Sequence, residues 1–238
     1  MKTIAIIPAR GGSKRIPRKN IKDFLGKPII SYSIEAALTS NLFNEVMVST
    51  DDIEIGNIAK IFGAKVPFFR STKNSDDYAT TSEVIVEVLN EYKKQNMAFD
   101  YICCIYPTAP FINSSIIVNS FQTLIKNNAD TIIPVVRYSY PIQRAFKVNN
   151  NGELAYILPE NAKKRSQDFE ASYHDAGQFY WMNESAFVKK NKIVTKNTYP
   201  FFLSDYQVQD IDNLEDWIIA ENKYLLNKKL KTTGVINE

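Results

Sequence analysis

Residues 3–20 read TIAIIPARGGSKRIPRKN, and the break after Pro8 decides how the rest of the chain is read. Thr3 to Pro8 is an unbroken, Ile-rich apolar run, the pattern of a strand buried on both faces of a parallel sheet. Directly behind it, Arg10 to Lys19 holds five Lys/Arg residues, a Gly-Gly pair and no acid. So much positive charge at the end of a buried strand calls for an anionic partner. Gly11 and Gly12 let backbone N–H groups approach a ligand closely. Arg10, Lys14 and Lys19 offer charge-assisted bonds to several phosphate oxygens. The loop is therefore expected to receive a triphosphate. Its spacing is not that of a G-x-x-x-x-G-K-[ST] loop, and a basic loop that is merely solvated is the competing reading.

Further along, strand and helix patterns alternate. A helix is expected from Pro28 to residue 39, a strand over 45–50 (EVMVST), and a helix over 53–62 stopped by Gly63. Thr80 or Thr81 caps the next helix, with Glu83 as the capping-box acid. A strand over 101–106 (YICCIY), a helix over 114–127 and a strand over 130–136 (DTIIPVV) follow. This alternation predicts an α/β protein with an open, doubly wound sheet. In such sheets ligands bind outside the carboxyl ends of the strands, at the switch point. Arg10, Asp51 and Tyr106-Pro107-Thr108 all stand at such ends.

From 137 to about 182 the texture changes to short, aromatic pieces. Asn151-Gly152 is a hairpin signal between FKV and ELAYI. This stretch reads as a β-rich insert within a single domain spanning 1–238, and its Tyr, Phe and Trp content points to an interface. The chain is expected to return to the main domain with residues 206–211 and a last helix from Leu214, fraying after Leu230.

At 238 residues the chain is long enough for one large α/β domain. A formal charge of +3 is too small to argue for nucleic acid. No apolar run approaches the ~18 residues that span a bilayer, and TIAIIPA is too short for a signal peptide. No membrane association and a cytoplasmic location are the expectation. The two cysteines, adjacent at Cys103 and Cys104, make neither a disulfide framework nor a zinc site. They read as core filling, as do Trp181 and Trp217, and the single histidine, His174, reads as a structural or interface residue.

Near the far end stands Gln209-Asp210-Ile211-Asp212. If this piece is extended, both carboxylates share a face and repel unless a cation lies between them. Mg²⁺, held by one or two carboxylates plus phosphate oxygens, meets that need. The alternative is that Asp212 caps the last helix, with Glu215 as a first-turn acid.

With both ends read, the chain resembles the CMP-sialic acid synthetase (acylneuraminate cytidylyltransferase) family. Ile6 to Asn20 (IIPARGGSKRIPRKN) is similar to that family's first motif nearly residue for residue. Tyr106-Pro107-Thr108-Ala109-Pro110 resembles its Q-P-T-S-P motif, and Asp210-Ile211-Asp212 with Leu214-Glu215-Asp216-Trp217 resembles its closing I-D-T-P-E-D. The resemblance spans essentially the whole chain. It implies a Rossmann-like, doubly wound mixed sheet with a swapped β-rich dimerisation insert, and a homodimer. It also implies Mg²⁺-dependent transfer of CMP from CTP to the anomeric hydroxyl of a nine-carbon 2-keto sugar acid, with Mn²⁺ as a possible substitute.

By position, the resemblance implies that Ala9, Arg10, Gly11, Gly12, Ser13, Lys14 and Lys19 bind the nucleotide. Asn20 and Arg70 would recognise cytosine, Thr81 or Ser82 would touch the nucleotide, and Tyr106, Pro107 and Thr108 would complete its site. Asp210 and Asp212 would hold the metal, so that Arg10, Lys14, Lys19 and Asp210 carry the catalysis. Arg144, Tyr173, Asp175 and Gln178 are the candidate sugar contacts, Arg144 through the sugar carboxylate. Tyr106 replaces the glutamine usual in sialic acid synthetases. Together with the SYHDAGQFYW stretch at 172–181, this looks more like the branch of the family that takes pseudaminic acid, which carries a second acylamino group and a methyl terminus. N-acetylneuraminate and legionaminate are the alternatives within the family. Outside it, a D-x-D glycosyltransferase and a non-catalytic nucleotide-binding module compete.

Overall fold

The computed structural model describes residues 1–232. Thr3–Pro8 forms β1 and is buried along almost its whole length. The hairpin of β2 (Asp23–Phe24) and β3 (Lys27–Pro28) follows the basic loop, then α1 (Ile30–Thr39), β4 (Glu45–Ser49) and α2 (Ile53–Ile61). Pro28 does not open α1. It is paired with Asp23 in the small hairpin, and the helix starts two residues later. Gly63 ends α2 at φ +93°, where a side chain would be strained. Next come α3 (Thr81–Lys94), capped by Thr80 in a complete capping box with Glu83, β5 (Tyr101–Ile105), α4 (Ser114–Lys126) and β6 (Thr131–Arg137).

The hairpin expected around Asn151-Gly152 is present as β7 (Phe146–Val148) and β8 (Leu154–Tyr156), exposed and separate from the main sheet. The rest of the expected insert behaves differently. β9 (Tyr173–Asp175) pairs with β6, and β10 (Phe179–Asn183) lies antiparallel between β5 and β6. The insert therefore rejoins the main sheet at Tyr173 rather than near residue 182. The physical reason is Trp181, whose fully buried indole stacks on Phe43 at 5.2 Å and donates its N–H to Ser120 at 3.1 Å. Burying such a side chain rewards a central position over an exposed one.

After α5 (Glu184–Lys190), β11 (Thr198–Leu203) pairs parallel with β6 at the sheet edge. Sequence patterns miss this strand because it carries Pro200 and a largely uncovered outer face, both tolerated at an edge. The return expected over 206–211 runs through a 3-10 turn at Asp205–Gln207 and irregular chain, leading to α6 (Leu214–Thr232). The helix thus runs past Leu230, and the expected tail beyond Thr232 lies outside the described residues.

The main sheet runs β11-β6-β10-β5-β1-β4, with β9 on the β6 flank. β1 pairs parallel with β4 on one side and β5 on the other. The chain leaves β1 in both directions, which places the switch point at its carboxyl end. Cys103 and Cys104, both fully buried, face the two opposite cores of the sheet. A third, smaller core joins distant parts of the chain: Ile16 from the basic loop packs with Phe24, Phe111, Ile211 and Trp217. No helix among the described residues is long and apolar enough to cross a membrane.

Candidate active site

A cleft of about 410 Å³ opens at the carboxyl ends of β1 and β5, between Arg10, Lys14 and Lys19 on one side and Tyr106, Pro107 and Thr108 on the other. The basic loop is shaped by the strand beside it. The Gly11 N–H donates to Asp51 Oδ1 at 2.9 Å. A Cβ on Gly11 would sit 2.7 Å from Asp52 Oδ2, so only glycine fits there. Gly12 faces open space. Buried Asn20 donates its amide N–H to the Arg10 carbonyl at 2.9 Å and braces the loop from within.

Arg18, with φ +56°, reaches back to pair with Asp52 (Nη2–Oδ1 3.0 Å) and Glu54. Asp52 also caps α2 through the Ile55 N–H. The hydrogen bond from Arg18 is the largest cause holding the Asp52 carboxyl down at about 2. Because the folded value lies below the ordinary one, the stabilisation is full above about pH 4 and disappears as pH falls through about 2. Asp52→Asn is expected to lower stability at pH 7 by on the order of 1–2 kcal/mol, discounted for the partial exposure of Arg18. Urea midpoints of the two proteins should draw together as pH falls from 4 towards 2. A gap that stays constant would refute the assignment.

Arg10 donates to Asp77 Oδ1 at 2.6 Å and to the Asp76 carbonyl at 2.9 Å, and Lys14 pairs with the same Asp77 carboxylate. Lys14 and Arg10 hold the Asp77 carboxyl below its usual range. Two cations that the sequence assigns to a triphosphate thus meet an internal anion, Asp77. Asp77 was not foreseen, since the SDDY turn carries no motif of its own.

The acidic segment lies on the far side of the same loop. Lys19 donates to the Ile211 carbonyl at 2.7 Å, and Arg15 pairs with Asp212 at 2.7 Å. Asp210 and Asp212 flank Ile211, which is buried against Ile16. Partial burial, then the neighbouring Asp212 charge, raises the Asp210 carboxyl above its usual value. Burial lowers the Lys19 amine, opposed by those same two carboxylates. Asp212 is not the cap of α6: Asp216 N–H donates to Asn213 Oδ1 at 3.0 Å, and Asp216 in turn accepts from the N–H groups of Asp212 and Asn213.

The pair suits a hard divalent cation. Asp210 and Asp212 stand two residues apart, and Asp212 is paired with Arg15, a contact that a cation between the carboxylates would replace. Among the described residues no third His, Cys, Asp or Glu completes an all-protein cage. The remaining ligands would be phosphate oxygens and water, the set Mg²⁺ favours.

Thr81, at the start of α3, shares a 3.1 Å hydrogen bond with the Tyr106 hydroxyl, and Ser82 beside it is half-buried. The Tyr106 ring meets Tyr180 edge-on at 5.6 Å. Tyr180 donates to Asp175 Oδ2 at 2.7 Å, while Asp175 Oδ1 accepts from the Gly177 N–H at 2.8 Å. Tyr180 is a further member that sequence reading did not single out. Its position in alternation with buried Phe179 and Trp181 was the available signal. Buried Gln178 donates to the Gln207 carbonyl at 2.7 Å and has an unpartnered Oε1 among the described residues.

Asp175, Gln178, Asp210 and Asp212 do not line the cleft, and three further candidates have other partners. Buried Arg70 turns its guanidinium onto Ser49, bracing the end of β4 (Nε to Oγ 3.0 Å). Arg144 lines a separate groove of about 440 Å³ with Tyr140 and Phe146. Tyr173 packs on Phe202 at 5.1 Å.

The family model described as Cytidylyltransferase matches residues 4–229. The pseudaminic acid cytidylyltransferase of Campylobacter jejuni is 44% identical over 227 residues, which are 95% of this chain and 98% of that protein. The CMP-N,N'-diacetyllegionaminic acid synthase of Legionella pneumophila is 30% identical over 237 residues, covering 96% of this chain and 99% of that one. Among solved structures, a CMP:2-keto-3-deoxy-manno-octonic acid synthetase complexed with CTP matches with a TM-score of 0.68. At 18% identity over 97% of this chain and 100% of that chain, it is a likeness of fold.

Proposed function

The chain belongs to the cytidylyltransferase family, and we propose that it transfers CMP from CTP to the anomeric hydroxyl of pseudaminic acid with release of pyrophosphate. The observation that supports the chemistry is the charge gathered around one loop: Arg10, Lys14 and Lys19 line the cleft, and the segment holding Asp210 and Asp212, from the other end of the chain, is joined to the same loop through Lys19 and Arg15. The observation that favours the sugar is the higher identity to a pseudaminic acid enzyme than to a legionaminic acid one. The Tyr106–Tyr180 pair supports it, because it offers an aromatic wall rather than the amide of a glutamine. A less polar wall suits a sugar with a methyl terminus, since polar groups without a match would stay unpaired.

In this reading the sugar oxygen attacks the α-phosphorus in line, its hydroxyl proton passes to Asp210 or to water, and the bond to the β,γ-pyrophosphate breaks. Arg10 and Lys14 leave Asp77 for the triphosphate and stabilise the charge that gathers on the departing pyrophosphate. Asp210 and Asp212 would hold Mg²⁺. When bound, such an ion neutralises phosphate charge and makes the attacking hydroxyl more acidic. Gly11, Asn20 and Asp51 keep the loop in register, so positioning and electrostatics carry the step without a covalent intermediate. Ala9, Gly12, Ser13, Thr81, Ser82, Pro107 and Thr108 belong to the nucleotide side of this reading. Asp175 and Gln178 belong to its sugar side, and Arg70 acts on cytosine through the frame it braces. Arg144 and Tyr173 enter through a homodimer built on the insert, where Tyr140, Phe146, Val148 and Leu154 are exposed.

Incubation with CTP, Mg²⁺ and each of pseudaminate, legionaminate and N-acetylneuraminate, followed by mass spectrometry, tests the assignment. CMP-pseudaminate is the expected product. A CMP-sugar formed only from one of the other two acids would overturn the choice of substrate, and release of a nucleoside phosphate without pyrophosphate would overturn the reaction.

A further inference from the structure

We propose that Asp77 is an internal competitor of the triphosphate: its carboxylate and the phosphates of the nucleotide take the same two cations in turn, and its return helps pyrophosphate leave. The inference rests on the cytidylyl-transfer reading above and assigns a duty to a residue outside the nucleotide-binding set. Asp77 lines the cleft together with Arg10 and Lys14. Arg10 donates to its Oδ1 at 2.6 Å, and Lys14 pairs with its other oxygen. Both carboxylate oxygens are thus spent on cations, the kind of charge-assisted contact that two phosphate oxygens make.

Asp77 is mounted to let go. It stands in the turn at 76–79, between two fixed points. On one side Glu87 accepts from the Ser71 N–H at 2.7 Å, from the Ser71 hydroxyl at 2.8 Å and from Asn74. On the other, Thr80 and Glu83 close the capping box of α3. The turn closes on itself through Asp76 Oδ1, which accepts from the N–H groups of Tyr78 at 2.9 Å and Ala79 at 2.8 Å. Among the described residues, the hydrogen bonds that 76–79 make beyond the turn all come from Arg10 and Lys14. Asp76, Asp77 and Tyr78 are exposed. The turn can therefore release both cations and keep its own structure, with water taking the Asp76 carbonyl. One carboxylate against two cations leaves a positive charge, so the pair still attracts a polyanion. An exposed ion pair is worth little by itself, but a carboxylate tethered beside its partners competes at a high effective concentration. A triphosphate, with more negative oxygens, displaces it. Pyrophosphate, no longer joined to the nucleoside, is held less firmly and yields to Asp77.

Asp77→Asn removes the competing charge and keeps the shape of the turn. By calorimetry in EDTA it is expected to bind CTP and inorganic pyrophosphate about fivefold more tightly than the wild type. CMP, which lacks the β and γ phosphates, should bind within about twofold of wild type. At saturating sugar the KM for CTP should fall by a similar factor while kcat does not rise, because removing a competitor strengthens ground-state and transition-state binding alike. Asp76→Asn removes an equal charge that forms no ion pair among the described residues, and all three affinities should stay within about twofold. Asp77→Glu keeps the competing charge and should match the wild type. CTP binding that is unchanged or weakened in Asp77→Asn would overturn the proposal and make Asp77 a support for Arg10 and Lys14. An equal gain in Asp76→Asn or Asp77→Glu would overturn it too. If the wild type binds pyrophosphate but not CTP, the cytidylyl-transfer reading fails instead, and pyrophosphate alone judges the competition.

Discussion

Asp210→Asn is expected to lower kcat by ~10²–10³-fold at saturating CTP and sugar, with the fold intact by circular dichroism. The substitution is nearly isosteric and removes one of two carboxylates beside a buried isoleucine. Its effect should therefore be electrostatic and confined to the site. Asp210 is partly buried and already carries the cost of standing next to Asp212. Asparagine relieves that repulsion, so stability should hold or rise slightly while turnover collapses. This opposite movement of stability and rate is the signature of a group placed for function rather than for folding. Turnover within threefold of wild type would remove Asp210 from the catalytic set. It would leave the acidic segment with only a structural duty.

Trp181→Ala is expected to destabilise the protein by about 3–5 kcal/mol, a large fraction of the stability of an ordinary domain. The indole is fully enclosed, stacked on Phe43, tilted against Phe121 and hydrogen-bonded to Ser120. Its removal opens a cavity in the largest core and leaves the buried Ser120 hydroxyl with the Ile117 carbonyl as its remaining partner. Urea unfolding followed by far-ultraviolet circular dichroism measures the loss. The result should be independent of protein concentration, because the residue belongs to the core of one chain. A loss that appeared only on dilution would instead place Trp181 at an interface between chains.

These two residues mark the limits of what the sequence discloses. Asp210 was legible because its neighbours form a local pattern: two acids at a spacing of two, followed by a helix start. Arg10, Lys14 and Lys19 were legible for the same reason, packed into one loop behind a buried strand. Trp181 was read as packing and does pack in the core, but its partners were not legible, because they come from elsewhere: Phe43 before β4 and Phe121 on α4. Tyr180, Asp77 and Arg15 escaped notice because their meaning depends on partners on other elements.

Local chemistry alone determined the alternation of buried strands and capped helices, the basic Gly-Gly loop behind β1 and the hairpin at Asn151-Gly152. Each is written in a few consecutive residues, through side-chain period and turn preference. The antiparallel entry of β10 between β5 and β6, the edge strand β11 and the docking of Ile211 onto Ile16 were decided by tertiary structure. Those outcomes depend on which apolar surfaces lie nearest once the chain has collapsed, and no short window of sequence contains both partners. The bond from Lys19 to the Ile211 carbonyl, between groups 192 residues apart, is of the second kind.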